Sequence, residues 1–158
     1  MAFQAYASFK GKTQGQLKGE SQKTGRSDKW TEVLSFKMES GVPVDSKSGS
    51  PKGARGHQPI VITKEVGASS PQLLQAHWAN EVFTEVVIEN KHGVHVYQRI
   101  TLTNALISHL IRFSATAARE ASRRNTQGLE KISFTYGKIT VENVAGSTST
   151  SDDWTAQT

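Results

Sequence analysis

The stretch Gly56–Asn80, GHQPIVITKEVGASSPQLLQAHWAN, constrains the fold more than any other part of the chain. Pro59 opens a short run of β-type residues, Ile60-Val61-Ile62-Thr63, and Gly67 closes it. Ser70 stands just before Pro71, the pattern of a helix N-cap followed by proline at the first helical position. The hydroxyl accepts an orphan backbone N–H there, and proline has no N–H to leave unpaired. Leu73, Leu74, Ala76 and Trp78 then give a short helix an apolar side. A strand, a tight link and a capped helix fit within one short segment, and the rest of the chain needs something to pack on.

That remainder reads as strands and polar loops. Phe3, Ala5, Ala7 and Phe9 alternate with Gln4, Tyr6, Ser8 and Lys10, the period of a half-buried strand. Gly11–Lys29 is a loop by composition. Trp30–Glu39 is a second strand, with Trp30, Leu34, Phe36 and Met38 facing one way. Thr31, Ser35, Lys37 and Glu39 face the other, and Val33 is the exception. Ser40–Gly56 contains Gly, Pro, Ser and Lys and little that is apolar beyond Val42 and Val44, so it is a long loop. Loops beyond about 12–15 residues in compact domains are commonly functional or disordered. In Glu81–Asn90, Val82, Val86 and Ile88 alternate with Glu85 and Glu89. Lys91-His92-Gly93 makes a tight turn, and Val94, Val96, Ile100 and Leu102 line the next strand.

Two segments leave a choice. Leu102, Leu106, Leu110, Phe113, Ala117 and Ala121 follow a helical period, and periodicity alone leans that way. Ile107, Ile111 and Thr101–Thr103 suit a strand instead, with a bulge near Asn104 that switches the apolar face. Ala115–Arg124 is left unassigned. In Leu129–Val144, Ile132, Phe134 and Tyr136 share one face, whereas Ile139 and Val141 have the opposite parity. A bulge or kink at Gly137 reconciles them. Ala145–Ser151 reads as a Gly/Ser/Thr tail before Asp152-Asp153-Trp154.

Only 35% of the 158 residues are apolar. Either much of the chain is loop, or the folded strands are wetted broadly, as in a tube or ring with a wet interior. Cysteine is absent, which excludes disulfides and thiolate chemistry. The N-terminal residues alternate rather than forming an apolar core segment, so neither a signal peptide nor a membrane span is expected. The net charge is +5, and residues 1–64 hold eleven Lys/Arg against five Asp/Glu. A basic excess suits acidic partners, nucleic acid included.

No catalytic pattern stands up. Gly67-Ala-Ser-Ser-Pro occupies the place of a nucleophile elbow but lacks its GxSxG spacing. His92 and His95 form an HxxH pair with Glu89 as the only near carboxylate, short of a metal site. Lys64-Glu65 reads as a strand-end charge pair. Gly49–Gly56 is Gly-rich and basic but lacks P-loop spacing and precedes a strand. From the residues alone the chain is a β-rich domain with a capped helix and no evident active site.

Longer blocks say more. KGES at Lys18–Ser21, EVLSF at Glu32–Phe36, KGARGHQPIVITKEVGASSPQL at Lys52–Leu73, ITLTNALIS at Ile100–Ser108, EKISFTYGKI at Glu130–Ile139 and DDW at Asp152–Trp154 run in order along nearly the whole chain. In these blocks it resembles the hemolysin-coregulated protein family, the tube protein of bacterial type VI secretion systems. The resemblance implies a mainly β fold: a small β-barrel of two antiparallel sheets with one short α-helix alongside and a long extended loop. It implies a single domain over residues 1–158 with a tail from about 145, and a strand through Leu102–Phe113. It implies homohexameric rings that stack into a channel, expelled by a contractile sheath behind a spike and carrying small effector proteins. No catalysis, cofactor, bound metal, membrane insertion or specific nucleic acid goes with such a subunit, which is made in the cytoplasm and secreted without a signal peptide.

On that resemblance, Thr31, Ser35, Lys37 and Glu39 are the expected channel-lining residues. Val42, Val44, Lys47, Lys52, Arg55 and His57 are the expected inter-subunit loop, and Ser70 and Pro71 the helix cap. The alternative from another class is a basic β-barrel that binds nucleic acid.

Overall fold

The structure is a computed structural model that describes residues 3–19, 29–42, 44–50, 56–113 and 128–153. Its strands are β1 (Phe3–Gly11), β2 (Gly15–Gln16), β3 (Thr31–Val33), β4 (Ser35–Lys37), β5 (Ser40–Gly41), β6 (Gly56–His57), β7 (Ile60–Glu65), β8 (Phe83–His92), β9 (His95–Phe113), β10 (Leu129–Asn143) and β11 (Thr148–Asp153). The helix, α1, spans Ser70–Trp78. All pairings are antiparallel. One nine-stranded sheet runs β2-β1-β8-β9-β10-β7-β4, with β11 added to β10 and β3 to β1, and β5 and β6 form a separate two-stranded ribbon.

The long strands β9 and β10 are shared by two halves of that sheet. Residues 129–134 of β10 pair with β7, which pairs with β4. Residues 138–143 pair with β11 on the same side. Across the middle, Thr84, Asn104 and Gly137 fall in one line, between the matched positions Phe83/Ala105/Tyr136 and Glu85/Thr103/Lys138. The buried residues change parity along it. On β8 they are Phe83, then Val86 and Ile88; on β9 Ile100 and Leu102, then Ala105 and Ile107; on β10 Ile132, Phe134 and Tyr136, then Ile139. Asn104 has φ +53°, a left-handed conformation that turns the chain over without a register shift. Strands that pass from one packed sheet to another need such a corner. The face switches read from the sequence near Asn104 and Gly137 are both here. The register shift itself falls later, between Ser133 and Phe134, where β9 carries the extra residue Ser108.

The segment Thr31–Lys37 makes a third crossing. Its first three residues pair with β1 and its last three with β7, while Leu34 donates its backbone N–H to the Thr63 carbonyl at 2.8 Å. The two ends of the ladder therefore meet on one interrupted segment. Thr31 and Val33 are buried in one half, and Phe36 packs on the core from the other. The single strand expected over Trp30–Glu39 is thus broken, and its parity changes at Leu34.

Inward residues of both halves join one apolar core with Leu73 and Ala76 of α1. Phe9, Phe83 and Phe134 meet at its centre, with ring centroids 5.6–6.4 Å apart. Trp78, expected on the apolar side of the helix, is 75% exposed. Val94 is also exposed, at the tip of the β8–β9 turn, where Gly93 takes φ +66°. The Leu102–Phe113 segment is strand, as the resemblance implies, because pairing with β10 along its length, and with β8 as far as Ala105, overrides its helical period.

The helix is fixed by polar contacts the sequence did not disclose. Ser69, not Ser70, occupies the N-cap position, and no side chain caps the helix; Ser70 and Pro71 are its first two residues. The Ser70 hydroxyl faces inward. It accepts the Gly67 N–H at 2.9 Å and donates to Glu130 Oε1 at 2.6 Å. The same oxygen pairs with Lys64 Nζ at 2.7 Å, and both charged side chains are fully buried. Lys64 also donates to the Glu65 carbonyl, and Arg112 reaches Glu130 Oε2 at 3.4 Å from the surface. Lys64 therefore belongs to a buried cluster around Glu130, where an exposed strand-end position was expected. Beyond the helix, buried Glu81 accepts the N–H groups of Thr13 and Gln14 and the Gln14 amide. Burial pushes its carboxyl pKa up, but the bonds from Gln14 and Thr13 prevail and hold it below the ordinary value.

The expected tail is a strand from Thr148. Gly146 donates to Asn143 Oδ1, and Ser147 takes φ +56° to turn the chain back onto β10. Trp154 and Ala115–Arg124 lie outside the described residues.

Lys64→Met should cost about 3–5 kcal/mol, because it leaves the buried Glu130 charge with only the part-exposed Arg112, at 3.4 Å, as counter-ion. Adding Glu130→Leu should recover most of that; equal urea midpoints for the single and double variants would refute the pairing. Asn104→Val should lose about 1–2 kcal/mol by forcing a β-branched residue into the left-handed region. Asn104→Gly should stay within about 1 kcal/mol of the parent, and an unchanged midpoint for the valine variant would show that the corner does not rest on this residue.

Candidate functional site

The structure separates the expected channel-lining residues. Ser35, Lys37 and Glu39 are exposed, and Lys37 Nζ lies 3.5 Å from Glu39 Oε2 in an open pair. Thr31 is not on their surface. It is 1% exposed, and its hydroxyl has no hydrogen-bond partner among the described residues. The cause is the parity change at Leu34: a period of two counted from Trp30 to Glu39 puts Thr31 on the wrong side.

Register places further side chains beside Ser35 and Lys37. Lys37 is matched to Val61, Val61 to Ser133 and Ser133 to His109. Ser35 is matched to Thr63, Thr63 to Lys131 and Lys131 to Ile111. Residues directly opposite in an antiparallel ladder share a face. The intervening set Phe36, Ile62, Ile132 and Leu110 points to the core. The outer face of β4, β7, β10 and β9 is thus a continuous, mostly polar surface on an apolar backing. The alternating strands carried that signal, but their order across the sheet did not follow from the sequence.

The long loop leaves and rejoins the body through the β5–β6 ribbon, with Ser40 matched to His57 and Gly41 to Gly56. Val42 and Val44 are exposed, at 43% and 60%. The loop folds partly on itself: the Lys47 N–H bonds Asp45 Oδ1 at 2.9 Å, and Gly49 takes φ +71° to return its N–H to the Asp45 carbonyl. Lys52 and Arg55 lie outside the described residues.

His57 turns inward at the base of the loop. Its Nε2 lies 2.6 Å from Asp152 Oδ2 on β11, and its ring meets Tyr136 edge-on at 5.6 Å. Burial, followed by the nearby Asp152 charge, raises the Tyr136 pKa above its ordinary value. A hollow of about 130 Å³ opens beside this pair, floored by Met38, Ile139 and Val141. Asp152 and Tyr136 were not singled out as site residues; only their blocks, DDW and SFTYG, pointed to them.

The other candidates are structurally occupied. His92 and His95 face each other across their turn, whereas Glu89 is held by Arg99 at 2.9 Å. Among the described residues no three metal-ligating side chains converge. His77 Nδ1 lies 3.2 Å from the Ile107 carbonyl. The Ser70 hydroxyl is committed to Gly67 and Glu130. Among the described residues no helix is long and apolar enough to cross a membrane.

A family model described as "Type VI secretion system effector, Hcp" matches residues 6–142, which takes in both halves of the sheet and the helix. The chain belongs to the Hcp family. The major exported protein of Pseudomonas aeruginosa is 32% identical over 167 residues, covering 98% of this chain and 96% of that protein. A crystal structure of an Hcp protein is similar with a TM-score of 0.87 at 28% identity, covering 97% of this chain and 98% of the other. The secreted protein Hcp3 from Pseudomonas aeruginosa is similar at 0.74 and 27% identity, with 97% and 99% covered. The family to which this chain belongs is thus one of type VI secretion proteins.

The Tyr136 phenol should ionise above the ordinary tyrosine range, because burial and the Asp152 charge raise its pKa. Its folded-state pKa lies above the unfolded value, so its contribution to stability is full below about pH 10 and is lost as pH rises through the folded value. In an ultraviolet titration, the phenolate step that Tyr136→Phe removes from the parent curve should lie above the ordinary tyrosine range. A missing step within the ordinary range would contradict the environment described for this phenol.

Proposed function

We propose that this chain is the structural subunit of a type VI secretion tube. Six copies close a ring, rings stack into a channel, and a contractile sheath expels the channel behind a spike with small effector proteins inside. The observation that carries this reading is the family match along residues 6–142, together with a broad polar sheet face on an apolar core. A wall of that construction can be wet on one side and dry on the other.

A closed ring needs a heterologous interface whose rotation returns to its start. The exposed side chains of Met38, Val42 and Val44 leave apolar surface uncovered by the chain itself and so suit such a contact. In this reading Ser35, Lys37 and Glu39 face the channel. Val42, Val44 and Lys47, with Lys52 and Arg55, form the inter-subunit loop, which His57 anchors at its base. The subunit acts by assembly and shape and performs no catalysis.

Electron microscopy and native mass spectrometry of the purified protein should show six-fold rings. A monomer at every concentration and salt tested would overturn the proposal. Val42→Asp with Val44→Asp should raise the concentration needed for assembly at least tenfold, about 1.4 kcal/mol, and leave the monomer's urea midpoint within about 0.5 kcal/mol of the parent.

A further inference from the structure

The two sheet halves present different charge patterns to solvent. On the β1 side signs alternate: Lys10 is matched to Glu85, Lys138 to Asp153, and Arg99 lies between Glu89 and Glu142. On the face of β4, β7, β10 and β9 they do not. Its two complete rows are Lys37, Val61, Ser133, His109 and Ser35, Thr63, Lys131, Ile111. Every titratable side chain in these rows is basic. Among the described residues the carboxylates of this face stand at its margins, where Glu39 follows β4 and Glu65 ends β7. Lys131 and His109 are exposed and make no ion pair among the described residues. Among the described residues Lys37 pairs with Glu39, in a pair open to solvent and therefore weakly held.

Lys37 and Lys131 lie two strands and one row apart, about 12 Å at the usual strand spacing and rise. Small side chains, Ser35, Thr63 and Ser133, fill the space around them, so the ammonium groups stand clear of a low surface. Neighbouring cations on one surface reinforce one another's potential and attract negative charge. Neither lysine meets a phosphate-shaped cradle or a stacking aromatic in these rows, so the surface suits dispersed carboxylates better than nucleotides.

We propose that this face recognises acidic polypeptide surface, with Lys37 and Lys131 as its principal contacts, so that the channel favours acidic cargo. The inference rests on the tube reading above, which places this face on the channel wall. A ring repeats the lysine pair around its circumference, which turns weak single contacts into a multivalent one.

The test uses assembled rings and fluorescently labelled polyglutamate, with labelled single-stranded DNA as comparison. Ring integrity is followed separately by native mass spectrometry. Polyglutamate should bind the rings, and binding should weaken as salt rises. Lys37→Glu with Lys131→Glu should reduce binding at least tenfold while rings persist. Lys10→Glu with Lys12→Glu, on the other half, should change it less than about twofold. Intact rings that do not bind polyglutamate would overturn the proposal, as would equal losses in the two variants or tighter binding of DNA than of polyglutamate. Failure of the parent protein to form rings would instead overturn the tube reading.

Discussion

A single buried ion pair holds the strand, the helix and the long central strand to one another. Lys64 and Glu130 are fully desolvated, and their charges are matched only because Ser70, the Glu65 carbonyl and Arg112 complete the hydrogen bonding. Removing ions from water costs several kcal/mol each, and geometry this close is what offsets it. The pair therefore acts as a register pin. If β7 slipped by one residue against β10, Lys64 would turn to solvent and Glu130 would lose its buried counter-ion. The position of the helix follows, because its first residue is bonded to the same carboxylate oxygen. Gln72, His77 and Glu81 then fix its course along the barrel.

The other governing constraint is the change of face where segments pass between sheet halves. It explains what was legible in the sequence. Gly137 and Asn104 announced their corners, since glycine and asparagine tolerate the conformations that corners require and the apolar parity around them visibly changed. Leu34 gave no such warning. A leucine inside an apparently regular strand reads as a core position, so Val33 looked like an exception and Thr31 like a surface residue. Val33 is in fact the last residue before the crossing.

The remaining misreadings share a physical cause. Local rules place a serine before a proline at a helix cap, and they place adjacent lysine and glutamate in an exposed pair. Both were overridden by Glu130, a residue far away in sequence that no short-range pattern connects to Gly67 or Lys64. The Ser/Thr-rich terminus read as a tail because its strand buries little of its own. Pairing with β10 supplies its order. The outer face of β4, β7, β10 and β9 was hidden for a related reason. Its residues belong to four separated segments, and only the order of strands brings them side by side. Family membership, by contrast, was legible early, because it rests on blocks spread along the chain rather than on geometry.

The shared strands have a mechanical consequence. Because β9 and β10 run unbroken through both sheet halves, tension along them is not borne by one hydrogen-bonded pair after another. It loads the ladders to β8, β7 and β11 in parallel, in shear, along the length of the subunit. Such a wall should yield abruptly under force and not unravel from an edge.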